Sequence, residues 1–353
     1  MQVAVTIKSF DNDLDKYDFL IPTIAETMES LIYKLVTLQD PAINIDGLNT
    51  VHITEDYRQE LFEFQESMGN RAYVTRNKVS EGYAQVVRVK EGKGKPEDEG
   101  YHIFISKFIV MNIVVSQWLE NHAIDVYETE EQIELLKELS VEKNKYIRMI
   151  RHELCHVEDE NNQKNWDWFE STFSDKSLQG MLRYDACRLW EEFYACKRSN
   201  FIYTPDSAVQ EMSSLLSNIE IAEKEVCELR WKYNTREITL TDFIRLLHEY
   251  IRSAFIYGCY FMGHMDRIYE SIISQLKPEL YPSRIYPFFP EAWKALRKMA
   301  ETYPNWHGPE VYDVLSEIVL KSIEEFKIYP IDTDKGIYYR IPAVHIQTRS
   351  CLL

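Results

Sequence analysis

The spacing of hydrophobic positions changes several times along the chain, and each change predicts a different element. Near the start, Val3, Val5 and Ile7 alternate with other residues, the two-residue period of a half-buried strand. Ile24 to Leu38 reads as a helix, Val51-His52-Ile53-Thr54 as a short strand, and Tyr57 to about Met68 as an acidic helix. Tyr83 to Val89 and His102 to Ser106 read as strands on either side of a loop of turn residues, 90–100. From Glu130 to about Asn161 there is no Gly and no Pro. Ile133, Leu136, Leu139, Ile147, Ile150, Leu154 and Val157 recur there at three- and four-residue steps, which predicts one long amphipathic helix. Met181 to Ser199, also free of Gly and Pro, predicts a second.

Beyond Asp206 the pattern is helical almost without interruption to about Lys327. Val209, Met212, Leu215, Leu216 and Ile219 share one face. Thr241-Asp242 is placed to cap a longer helix running to about Gln275, and Pro290 and Pro309 stand at tolerated first-turn positions of two more. Tyr250, Tyr257, Tyr260, Phe261 and His264 form a stripe on the long helix, read as core packing with a substrate pocket as the rival. From Asp332 the alternation returns over 336–342 and 344–346, which predicts an extended tail that rejoins the first sheet or enters a cleft. The whole predicts an α+β protein. A first domain spans 1–205, with a sheet lobe at 1–125 and two central helices within 130–200. A helical lobe at 206–330 and an extended tail at 331–353 follow. At 353 residues and 45% hydrophobic content, the chain can bury a substantial core.

Within the first long helix lies His152-Glu153-Leu154-Cys155-His156. Each helical residue turns about 100°, so His152 and His156 stand roughly 40° apart on successive turns. Both imidazoles can reach one ion from the same side. Glu153 points to the flank, where a carboxylate takes a proton from water without becoming a ligand. Two His leave a catalytic ion under-coordinated, so a third donor is expected on another element. Glu158, Asp159, Asp185, Glu191 and Glu192 are the carboxylates to consider.

The H-E-x-x-H pattern is that of zinc peptidases, and Glu192-Phe193-Tyr194-Ala195 downstream resembles the E-x-x-A signature of the gluzincins. The resemblance covers roughly residues 100–200. It implies a zincin-like lobe, one Zn²⁺ held by His152, His156 and Glu192, Glu153 as general base, and a peptide or protein substrate. It also implies that small Ala195 lets its helix approach the metal helix closely. Glu191 then points away as a solvated carboxylate. Many gluzincins follow E-x-x-A with an Asp or Asn that orients a ligating His. Cys196 stands there in this chain, which leaves Asp185 or Asp159 for that task, or a degenerate site. Residues 157–166 contain no His, which excludes the astacin-like branch. By analogy with zincin folds, the strand His102 to Ser106 is a candidate substrate edge, with His102 and Phe104 beside the substrate, and an interior strand with both neighbours filled is the equal alternative. A donor to the oxyanion is expected from Tyr338, Tyr339, Arg340 or His345 in the tail. Trp166, Trp168 and Phe169, between the ligand helices, read as packing of a connector. Two rival functions remain: a zinc-bound regulatory or binding protein on the same scaffold with little general hydrolysis, and a metal-free helical scaffold in which the motif stands by chance.

Charge and cysteines narrow the setting. With 40 basic and 57 acidic residues the net charge is −17, which disfavours nucleic acid as a partner. The first residues lack the basic start and apolar core of a signal peptide. The longest apolar stretch, 254–263, is too short to cross a bilayer. Six scattered Cys without C-x-x-C spacing read as reduced thiols, and the expected location is the cytoplasm.

Overall fold

The computed structural model describes residues 4–7, 20–38, 41–68, 84–90, 99–122, 130–200, 205–272 and 282–342. They form an α+β protein that is predominantly helical. Two compact units divide the chain, 1–161 and 162–353. No described helix is long and apolar enough to cross a membrane.

The first unit is built on a four-stranded sheet of β1 (Ala4–Ile7), β2 (Leu48–Thr54), β3 (Ala84–Val89) and β4 (Gly100–Ser106), in the order β1-β2-β4-β3. β1, β2 and β4 run parallel, and β3 pairs antiparallel to β4. A parallel β1–β2 pair needs a crossover, supplied by α1 (Leu20–Thr37). α2 (Tyr57–Ser67) starts where Asp56 accepts a hydrogen bond from the Gln59 N–H at 3.1 Å, satisfying one of the orphan donors of its first turn. α3 (Lys107–His122) follows β4 directly, with Ser106 Oγ accepting from the Phe108 N–H at 3.3 Å. The pattern of hydrophobic positions did not disclose this helix. Its Ile/Val-rich run favours a strand by propensity, and burial of Ile109, Val110 and Ile113 overrides that preference. α4 (Glu130–Gln163) is the predicted long helix.

β4 lies between β2 and β3, so it is an interior strand and not a substrate edge. Its backbone groups are taken up on both sides. His102 and Phe104 are only 2% and 1% exposed. They stack with His52 and Phe64 in an aromatic cluster, where His52 Nε2 lies 3.0 Å from His102 Nδ1.

The second unit is helical: α5 (Phe169–Ser174), α6 (Leu178–Ser199), α7 (Pro205–Asn234), α8 (Leu240–Met265), α9 (Tyr269–Ile272), α10 (Phe289–Thr302) and α11 (Asp313–Glu325). Ser177 caps α6 by accepting from the Gly180 N–H at 3.0 Å. α8 is capped by Thr239, two residues before the predicted cap; the Asp242 N–H donates to its Oγ1 at 3.1 Å. At Asp266, whose carboxylate is held by Lys197, Trp293 and Arg297 at 2.6–3.1 Å, α8 gives way to a 3₁₀ turn over Asp266–Ile268, and α-helix resumes over Tyr269–Ile272. Trp166, Trp168 and Phe169 pack into the core of this unit, as does the stripe on α8 through Tyr250, Tyr257 and Phe261.

α6 and α8 form the centre of this core. Gly263 of α8 lies against α6 so closely that a Cβ there would stand 2.6 Å from Cys196 Cβ and 2.7 Å from the Phe193 carbonyl oxygen. A buried polar chain joins the same two helices to the C-terminal hairpin. His248 Nδ1 lies 2.7 Å from Asp185, Arg252 donates to the same carboxylate at 2.8 Å, and His248 Nε2 lies 3.0 Å from the Tyr339 hydroxyl. Tyr339 belongs to β6 (Gly336–Arg340), which pairs antiparallel with β5 (Tyr329–Thr333). The described part of the tail, Gly336–Arg340, therefore closes on its own neighbour and does not pair with the first sheet, a pairing with a far smaller loop to close. Gly336, at φ +112°, makes the turn.

Gly263→Ala is expected to destabilise the protein by about 1–3 kcal/mol, because two of the three atoms a methyl would meet are backbone. A thermal or urea unfolding midpoint equal to wild type would show that α8 can shift without cost.

Candidate metal centre

α4 is uninterrupted through 152–156, so the helical spacing of the motif is realised. The imidazoles of His152 and His156 stand edge to face, 87° apart with centroids at 4.6 Å. Their Nε2 atoms are 3.0 Å apart. Glu192 lies on α6, and one ligand atom each from His152, His156 and Glu192 falls within 4.8 Å of the other two. All three are partly exposed, and among the described residues no other group of His, Cys, Asp and Glu converges in this way.

The donor set fits a divalent transition ion. At metal–ligand distances of about 2.0–2.2 Å, tetrahedral donors stand about 3.3 Å apart. The imidazole pair, at 3.0 Å, is close to that separation. Two imidazoles and one carboxylate accept zinc, manganese, iron or cobalt, and the donor set alone does not choose among them.

The rival carboxylates have other partners. Glu191 is not solvated as expected: it is buried, pairs with Arg188 Nη1 at 2.5 Å and accepts from the Cys187 thiol at 3.4 Å. A helix buried on nearly every side left its carboxylate no route to water. Asp185 is held by His248 and Arg252, so it does not orient a ligating imidazole. Glu158 accepts from the Asn44 N–H at 3.1 Å, and Asp159 is fully buried near Tyr101. Cys196 is buried beneath Gly263.

Several neighbours feel the charges of the site. Burial, and after it the carboxylate of Glu153, pushes the Tyr57 hydroxyl far above its ordinary pKa, so Tyr57 is a neutral donor on the Glu153 side of α4. Burial and then Glu192 push the Cys259 thiol well up, which keeps Cys259 protonated on α8. Arg188 is held more firmly protonated than usual, first by Glu191, against the effect of burial, with help from Tyr184 and Glu192. Arg188 could have been found from its i,i+3 and i,i+4 spacing to the two glutamates. Tyr57 could not, because no local spacing links it to residue 153.

The other predicted site residues that are described have their own surroundings. His102 and Phe104 are inside the first unit. Tyr338 is 55% exposed on the outer side of β6, while Tyr339 turns inward to His248 and Arg340 covers the Tyr329 ring at 4.7 Å. His345 lies outside the described residues. No protein-family model, curated protein or solved structure matches the chain.

Glu192→Ala should weaken zinc affinity by more than about 100-fold, beyond what loss of an outer-shell partner costs. Glu191→Ala should change it far less. Equal zinc affinities for the two variants, by competition with a chromogenic chelator, would remove Glu192 from the ligand set.

Proposed function

We propose that the protein is a zinc-dependent peptidase that hydrolyses peptide bonds, with His152, His156 and Glu192 as ligands and Glu153 as general base. The observation that carries this reading is the convergence, within 4.8 Å of one another, of one donor atom each from His152 and His156 on α4 and from Glu192 on α6, with the carboxylate of Glu153 next to the first His. A zinc ion bound there supplies polarisation of the peptide carbonyl and ionisation of water near neutral pH.

The chain's own residues divide the remaining work. His152 and His156 must be neutral to ligate, so acid competes with the metal. Glu153 takes the proton of the attacking water and returns it to the departing amine, a general-base step worth about 10²–10⁴-fold. Tyr57, kept neutral by burial and by Glu153, is a hydroxyl donor suited to hold that carboxylate or a developing oxyanion. The resemblance to gluzincins supports the same assignment through the motif residues. Five free cysteines among the described residues accord with a reducing, cytoplasmic setting, and the −17 charge argues against nucleic acid as a partner.

The second reading, a zinc-bound regulatory or binding protein with little general proteolysis, is favoured by one feature. Cys196 stands where many gluzincins have a carboxylate or amide, and Asp185 does not replace it. Turnover of a degenerate peptide library, with and without chelator, separates the two.

Glu153→Gln should retain stoichiometric zinc and lose about 10²–10⁴-fold in kcat. Loss of zinc and of the fold together would mean that Glu153 is a structural residue and would sink the general-base assignment.

A further inference from the structure

α6 is buried along most of its length, with one exception that leads to the metal ligand. From Leu182 to Phe193 only Arg183, Tyr184, Arg188 and Glu192 are not buried, and Arg183 is tied to Asp313 at 2.8 Å. The other three lie at i, i+4 and i+8, on successive turns of one face. The open face of α6 is therefore a stripe of tyrosine, arginine and glutamate ending at the proposed ligand.

Arg188 is the centre of that stripe. Its side chain is 47% exposed, while that of its partner Glu191 is 11% exposed. The bond from Nη1 to Glu191 fixes one arm of the guanidinium, and Glu191 is itself held by the Cys187 thiol. The planar fork keeps Nε–H and Nη2–H for another acceptor, and a guanidinium held by one arm loses little entropy on binding it. Tyr184, one turn further from the metal, is 43% exposed and steadied by Phe173 edge-on and by Arg252 at 5.9 Å from its ring centroid. A fixed cation one helical turn from a metal ligand, on a chain of net charge −17, is a short-range selector for one negative group.

We propose that Arg188 is a specificity subsite that binds a carboxylate of the substrate, about one helical turn (~6 Å) from Glu192. The inference rests on the peptidase reading, since it presumes substrate at the metal. The carboxylate is either the free C-terminus of a peptide or an acidic side chain next to the scissile bond. Tyr184 then offers its ring to the apolar part of the same residue.

Three metal-directed probes test this on the zinc-loaded full chain by calorimetry. They are succinyl hydroxamates extended by alanine free acid, by aspartate amide, and by alanine amide as the neutral reference. Wild type should bind one or both carboxylate probes about tenfold or more tightly than the reference, as a charge-assisted fork–carboxylate bond provides. Preference for alanine free acid identifies the C-terminus, and preference for aspartate amide identifies the side chain. Arg188→Gln should erase the preference while leaving zinc content and the affinity of the neutral probe unchanged; Arg188→Lys should restore part of it. Equal affinity of wild type for all three probes overturns the subsite and leaves the peptidase reading standing. Uniform weakening of all probes in Arg188→Gln, with a lowered unfolding midpoint, shows that Arg188 only neutralises Glu191 and also overturns it. Failure of the chain to bind zinc is a separate result, and sinks the reading on which the subsite rests.

Discussion

A helix packed on nearly all sides can carry charge only where each charge finds a partner, and α6 carries several. Taking an ion out of water costs several kcal/mol even after the protein relaxes, so a lone buried carboxylate tends to be neutralised or excluded. Asp185 meets this constraint with His248 and Arg252, and Glu191 meets it with Arg188. Glu192 is less buried than either and is the carboxylate whose oxygen converges with the two imidazoles. The proposed ligand is thus set apart from its neighbour by one residue of helical rotation. That rotation sends Glu191 into the helical core beside an arginine and Glu192 toward the site.

The same packing accounts for Cys196. The Cys196 Cβ lies so close to Gly263 that a Cβ on the glycine would stand 2.6 Å from it, and α8 approaches α6 nearly backbone to backbone. A carboxylate there would need both room and a cation, and a small, fully buried thiol needs neither. Cys196 is a packing solution for this pair of helices. Its presence bears on which group orients the ligand imidazoles and leaves the three donors themselves untouched.

Much of this was legible in the chain because it is periodic or local. The 3.6-residue repeats announced α4 and most of the helical unit, the stretch free of Gly and Pro announced α6, and the helical spacing of His152 and His156 announced that their imidazoles share a direction. What stayed hidden depends on long-range packing. The helix at Lys107–His122 looks like a strand until its Ile and Val residues are seen to be buried. The interior position of β4 follows from a pairing with β3 across 90–99, and strand order is not encoded in alternation. Tyr339 reads as one of several tail tyrosines, yet only the hairpin geometry carries it to His248, 91 residues earlier. The burial of Glu191, expected to be solvated, stayed hidden for the same reason: position on a helix gives a direction, and the neighbours decide whether water lies that way.

On the proposed peptidase reading, the interior placement of β4 also limits how an extended peptide would be held. Strand addition needs a free row of N–H and C=O groups, and among the described residues the sheet ends in β1 and β3. β4 is full on both sides, and its side chains on the α2 face are committed to the His52–Phe64 cluster. Backbone pairing along the strand that leads into α3 is therefore closed to substrate. If pairing to this sheet contributes at all, it runs along Ala84–Val89 or Ala4–Ile7, and otherwise orientation falls to side chains. A peptidase that relies on side chains to place its substrate discriminates by single charged or aromatic contacts more than by extended main-chain hydrogen bonding. The open stripe of Tyr184 and Arg188 on α6 is a surface of that kind.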